Sequence, residues 1–124
     1  MSKKILVVDD EEFVRKAVAD KLKSDGFDVL EADNGEKAVE MALSGHPDLI
    51  LLDVIMPKMD GIEAMKKIRE DAWGKDVPLI LLTRIEPDDK MLQEIINHKP
   101  TYYLVKSNYR IEDIVEKVKE KLGA

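Results

Sequence analysis

The chain has 124 residues, 44% of them hydrophobic and none of them cysteine, which suits one domain with a substantial core and excludes disulfides and thiolate metal sites. A formal net charge of −6, a pI near 5.0 and 20 dispersed basic residues argue against a nucleic-acid surface, which needs clustered Lys and Arg. No apolar run nears the roughly 18 residues of a membrane span, and the hydrophobic segment of "MSKKILVVDD" is too short for a signal peptide, so no membrane contact and a cytoplasmic location are expected.

The elements alternate between two periods. "KILVV" (4 to 8) reads as a strand, and Phe13, Val14, Ala17, Val18 and Leu22 then follow the spacing of a buried helical stripe. "FDVLEA" (27 to 32) is a second strand, and "GEKAVEMALSG" is read as a helix on an apolar face of Ala38, Met41 and Ala42. "DLILLD" (48 to 53) is a third strand, beyond which Asp60 and Glu63 form a capping box for the next helix. "PLILLT" (78 to 83) is a fourth, and Pro87 suits the first turn of a fourth helix. "YYLVK" (102 to 106) is a fifth, after which Asn108 caps a helix striped by Ile111, Ile114, Val115, Val118 and Leu122. No repeat, low-complexity tract or linker interrupts the pattern, so residues 1 to 124 are expected to form one domain.

Five βα units in alternation imply an α/β, doubly wound parallel sheet covered on both faces, which explains why the two "LILL" strands are apolar without alternation. In such sheets ligands bind beyond the carboxyl ends of the strands. Those ends carry Asp9 and Asp10, Asp53, Thr83 and Lys106. Taken singly, each has a plain role: an acidic pair opposing a helix dipole, a turn aspartate, a strand threonine, a surface lysine. Four separate units delivering polar groups to one rim point instead to a site.

At "VVDDEE", "LLDVIMPKMDG", "LLT" and "YYLVK" the chain resembles the receiver domain of bacterial two-component response regulators, of the single-domain, chemotaxis-receiver kind, and the resemblance spans essentially all of it. It implies a flavodoxin-like (βα)5 sandwich with strand order 2-1-3-4-5 and a phospho-acceptor at Asp53. Three clustered carboxylates repel by about 4 kcal/mol per pair at about 4 Å and an effective dielectric near 20, and Lys106 supplies one counter-charge. A divalent cation supplies the rest, and hard oxygen donors near phosphate favour Mg²⁺. Asp10 and Asp53 are expected as direct ligands, Asp9 through water, and the Ile55 backbone carbonyl by resemblance.

The reaction implied is phosphoryl transfer onto the Asp53 carboxylate from a sensor histidine kinase, a histidine phosphotransfer protein or a small acyl phosphate. Such a domain is a signalling acceptor that catalyses only its own phosphorylation and dephosphorylation. By resemblance, Thr83 and Tyr103 form the switch, reshaping the surface of the fourth helix, fifth strand and fifth helix for a downstream protein. Ile55 and Ile85 are expected to flank the phosphoryl group, and apolar side chains cannot hold an attacking water, so slow hydrolysis is expected.

Three positions depart from the family pattern. Arg84 stands where a small residue is usual, so its bulk and charge would restrict the pocket or attract an anionic donor. Ser107 replaces a proline after Lys106, and because a cis bond before a non-proline costs about 3–4 kcal/mol, a trans, rearranged loop would alter the reach of Lys106. Tyr102 replaces a common glycine and would crowd the fifth strand. Arg84 and Ser107 favour, as the alternative, a phosphorylation-independent interaction module on the same fold. A haloacid-dehalogenase-like phosphatase would need an acid where Ile55 stands, and a flavin carrier would need a hydroxyl- and glycine-rich loop where "DDEEF" stands. His46 and His98 are read as exposed, and Trp73 and the six methionines as core or surface fill. The chain stops at "KEKLGA", after the fifth helix pattern, and no effector domain is read in it; oligomeric state is left open.

Overall fold

The computed structural model describes residues 2–56, 58–84 and 88–123. Strands β1 (Lys4–Val8), β2 (Asp28–Ala32), β3 (Leu49–Asp53), β4 (Leu79–Thr83) and β5 (Tyr102–Val105) alternate with helices α1 (Glu12–Ser24), α2 (Gly35–Gly45), α3 (Gly61–Glu70), α4 (Asp89–Asn97) and α5 (Ile111–Leu122). All pairings are parallel, in the order β2-β1-β3-β4-β5, as the resemblance implied.

Because side chains alternate across a strand, each strand feeds two cores. Leu6, Val8, Ile50, Leu52, Leu79 and Leu81 pack on one face with Ala38 and Ala42 of α2, Ile62, Met65 and Ile68 of α3, and Ile95 of α4. Ile5, Val7, Leu49, Leu51, Ile80, Leu82 and Leu104 pack on the other with Val18 and Leu22 of α1 and Ile114, Val115 and Val118 of α5. Every residue of β3 and β4 is buried, the physical reason for their unbroken apolar runs.

Asp60 caps α3 by accepting from the Glu63 backbone N–H at 2.9 Å, the N-cap half of the expected capping box. Other local expectations are corrected. Phe13 is 86% exposed, because the face of α1 that meets the sheet runs through Val14, Val18 and Leu22 and Phe13 lies off it. Asn108 does not cap α5; it closes a 3-10 turn, Lys106–Asn108, and Arg110 opens the helix, donating its backbone N–H to Asp113 Oδ2 at 3.0 Å. His98 is half-buried, with Nδ1 2.7 Å from the Glu94 carbonyl oxygen, and the exposed His46 stacks on Trp73 with ring centroids 4.6 Å apart. Pro87 lies outside the described residues.

Arg69, unremarked in the sequence, ties α3 to the loops that lead into β4 and β5. Its guanidinium donates to the carbonyl oxygens of His98 (3.0 Å), Gly74 (2.9 Å), Val77 (2.7 Å) and Lys99 (3.1 Å). A single ammonium cannot reproduce that planar fork. Arg69→Lys is expected to lower unfolding free energy by about 2 kcal/mol, and Arg69→Ala by about 2–4 kcal/mol, in urea titrations. Changes below a few tenths would show the four carbonyls to be equally well served by water.

Candidate functional site

The carboxyl ends of β1, β3, β4 and β5 bring the expected residues to one rim. Asp53 ends β3 and is fully buried; its register partner is Leu82, which places Thr83, also fully buried, one step beyond it. Val105 pairs with Thr83, so Lys106 leaves the sheet beside both. Asp9 and Asp10 follow β1, whose Val8 pairs with Leu52. Asp9 is 3% exposed, and Asp10 lies further out.

Two close backbone approaches hold the loop after Asp53. The Gly61 N–H donates to the Val54 carbonyl at 2.8 Å, and a Cβ at Gly61 would lie 2.0 Å from the Asp53 carbonyl oxygen. The Gly35 N–H donates to Met59 at 3.1 Å, where a Cβ would come within 2.2 Å of that oxygen. Only glycine lets both helix starts press against the loop. This explains the irregular backbone just beyond the acceptor strand.

Lys106 Nζ donates to Asp9 Oδ2 at 2.7 Å, and lies 3.4 Å from Asp53 Oδ2 and 3.8 Å from Glu11 Oε1. Its reach therefore survives the Ser107 replacement; no cis peptide occurs among the described residues, and the backbone simply enters the 3-10 turn. Burial opposes the ammonium charge, but the hydrogen bond it donates to Asp9 and the charges of Asp53, Asp9 and Glu11 outweigh it and raise its pKa. Asp53 is different. Neither of its oxygens accepts an aligned hydrogen bond among the described residues, and Lys106 stands at ion-pair distance only. Burial pushes the carboxyl up to about 6; Lys106 opposes the rise and Asp9 adds to it.

Oxygens of Asp9, Asp10 and Asp53 lie within 4.8 Å of one another. With Glu11 they make four carboxylates facing two cations, Lys106 and Arg84. A hard-oxygen donor set with buried, unsatisfied carboxylate oxygens fits a divalent ion of the magnesium type. The Ile55 carbonyl belongs to the same rim: Arg84 Nη2 lies 3.3 Å from it and 3.5 Å from Asp10 Oδ1. That position of Arg84, and the part played by Glu11, were missed in the sequence; the run "DDEE" was the available signal for Glu11.

The remaining expected residues sit around this centre. Tyr103 is half-buried and packs against the core that receives Ile95 and Met91 of α4. Tyr102 packs on the α1 and α5 side with Lys117 Nζ 5.2 Å from its ring centroid, and β5 keeps its register with β4. Ile55 is 38% exposed; Ile85 lies outside the described residues.

Residues 5–119 match the family model described as the response regulator receiver domain. The alkaline phosphatase synthesis transcriptional regulatory protein PhoP of Bacillus subtilis is 45% identical over 93 residues, which are 74% of this chain and 38% of that protein. The chain spans under half the length of the curated relatives it matches. Among solved structures, the chemotaxis protein CheY4 of Vibrio cholerae is 31% identical, with a TM-score of 0.86 over 97% of this chain and 98% of that one. The receiver domain of sensor histidine kinase PA1611 from Pseudomonas aeruginosa is 26% identical, with a TM-score of 0.86 over 100% of both chains, and has a magnesium ion coordinated in its active-site cleft.

The raised Asp53 carboxyl has a definite pH signature. Folding takes up a proton between the ordinary value of 3.8 and about 6, so the stability present below pH 4 is lost as pH rises through 6. Asp53→Asn, which cannot ionise, is expected to exceed the wild type by about 1–3 kcal/mol at pH 7.5 in chelator, the gap closing near pH 4. Urea titrations across that range measure it, and a gap independent of pH would defeat the assignment.

Proposed function

This chain belongs to the response regulator receiver domain family, and on that premise we propose that it accepts a phosphoryl group on Asp53 and signals through the change that follows. The observation that carries this reading is a fully buried carboxylate without an aligned hydrogen bond, at the end of a central strand, beside a lysine and two further aspartates. A structural aspartate would have its lone pairs filled.

Asp10, Asp53 and the Ile55 carbonyl would hold a magnesium ion directly, with Asp9 acting through water; bound there, the ion would supply positive charge that shields carboxylate and phosphoryl oxygens from one another. An Asp53 oxygen is the nucleophile: its bond to phosphorus forms as the donor's P–N bond, or the P–O bond of an acyl phosphate, breaks in line. Lys106, held by Asp9, faces the oxygens that gain charge. Asp9 thus serves as a positioning residue for that ammonium. The Thr83 hydroxyl and Tyr103 then respond to the new phosphoryl oxygens, biasing the surface of α4, β5 and α5 between two states. The phosphoryl source is a sensor histidine kinase or a histidine phosphotransfer protein, and the reader is a downstream protein. The phosphorylation-independent module keeps one specific support, the contact of Arg84 with Asp10 and the Ile55 carbonyl.

Incubation with acetyl phosphate and Mg²⁺, followed by intact mass, is expected to add one phosphoryl group to the wild type and none to Asp53→Asn. A wild type that stays unmodified would favour the module.

Phosphoryl lifetime follows from Ile55. It stands half-open beside the acceptor and offers no hydrogen bond to an attacking water. Decay of the phosphoprotein in Mg²⁺ is expected to be severalfold slower than in a variant carrying Ile55→Asn and Ile85→Asn; equal lifetimes would remove these side chains from the explanation.

A further inference from the structure

Arg84 leaves the end of β4 directly after Thr83, and its guanidinium lies across the oxygens at the mouth of the acidic rim. Nη2 is 3.3 Å from the Ile55 carbonyl oxygen and 3.5 Å from Asp10 Oδ1, and Nη1 is 3.6 Å from Glu11 Oε1. Lys106 divides its contacts among Asp9, Asp53 and Glu11, so among the described residues Asp10 has Arg84 alone as its cationic partner. Two of the oxygens assigned above to a divalent ion are thus faced by one nitrogen of a fixed positive charge.

We propose that Arg84 and a divalent cation are mutually exclusive occupants of the oxygens of Asp10 and Ile55, so that the arginine acts as a tethered competitor setting the protein's metal affinity. This rests on the reading that these residues and Asp53 hold the ion. A divalent ion held by these two oxygens would need contacts of about 2.0–2.1 Å to each, and the guanidinium nitrogen that now faces both would have to give way. Like charge adds to the steric conflict. The arginine has somewhere to go: its side chain is 42% exposed, so displacement costs little desolvation, and Glu11, which is not one of the three grouped carboxylates, already contacts its Nη1 at 3.6 Å. The contacts are long and open to solvent, so the competition is modest and reversible, as a regulatory one must be.

Competition of this kind lowers apparent affinity by the fraction of molecules in which the arginine stands aside; one in ten gives about a tenfold weaker site. Asp53 phosphorylation would then follow cation concentration over a range where an unopposed site would already be saturated. Coupling is reciprocal, so a bound cation must also push Arg84 outward.

Binding of Mn²⁺ to the 124-residue chain, followed by the EPR signal of the free ion, tests this without recourse to phosphorylation. Arg84→Met is expected to tighten binding about tenfold. Arg84→Lys keeps the charge but cannot set one nitrogen on Asp10 and the Ile55 carbonyl while a second engages Glu11, and is expected to tighten binding severalfold. Equal affinity in wild type and Arg84→Met overturns the proposal. So does Arg84→Lys matching the wild type while Arg84→Met binds tighter, since a distant field would then suffice. The same titration on Asp10→Asn separates the two levels: if Mn²⁺ binds neither the wild type nor Arg84→Met, or binds Asp10→Asn as well as the wild type, the metal assignment itself falls and this proposal with it.

Discussion

A carboxylate held out of water at the end of a central strand is the constraint around which the rest of this protein is arranged. Asp53 is fully enclosed, lacks an aligned hydrogen bond among the described residues, and is pushed toward neutrality by its burial. Left to itself it would be a defect, since buried ionisable groups are tolerated when paired or when they work. Lys106 offsets part of the cost from 3.4 Å, and Asp9 holds Lys106 in place at 2.7 Å while adding repulsion of its own. The site therefore carries an excess of negative charge, four carboxylates against two cations, which further positive charge would offset.

Why the sheet can sustain this is a matter of layers. With both faces of β3 and β4 packed by helices, Asp53 meets its polar neighbours along the strand axis, at the carboxyl rim. Parallel strands all present that end to the same side, so residues remote in sequence become neighbours there. The glycine contacts at Gly35 and Gly61 close the loop beneath it, leaving the rim to polar groups. Arg69 clamps the opposite end of α3, where four carbonyl oxygens share one guanidinium, so the two ends of that helix are anchored by different means.

Family membership narrows what this architecture does, and particular side chains individualise it. A receiver with a magnesium ion in its cleft is similar along the whole chain. Arg84 gives this member a second cation at the rim, placed on Asp10 and the Ile55 carbonyl rather than on Asp53. Its charge counts toward the same balance as Lys106, but from a side chain 42% exposed against 15% for Lys106.

The sequence by itself determined the five strands, the helices between them, and the set of polar residues at the strand ends, because hydrophobic period and strand-end chemistry are local properties written along the chain. The apolar runs at residues 49–52 and 79–82 announced strands buried on both faces, and the rim carries Asp9, Asp10, Asp53, Thr83 and Lys106 as read. Weak local signals mislead: Phe13 fits a helical stripe by spacing yet lies off the face that packs through Val14, Val18 and Leu22, and Asn108 has a capping side chain but is spent in a 3-10 turn. Only the tertiary structure decided which oxygen each cation faces, that Arg69 would gather four carbonyl oxygens, and that Arg84 would cover Asp10. Those outcomes depend on distances across the sheet and between loops, which residue order does not encode until the strands are packed side by side.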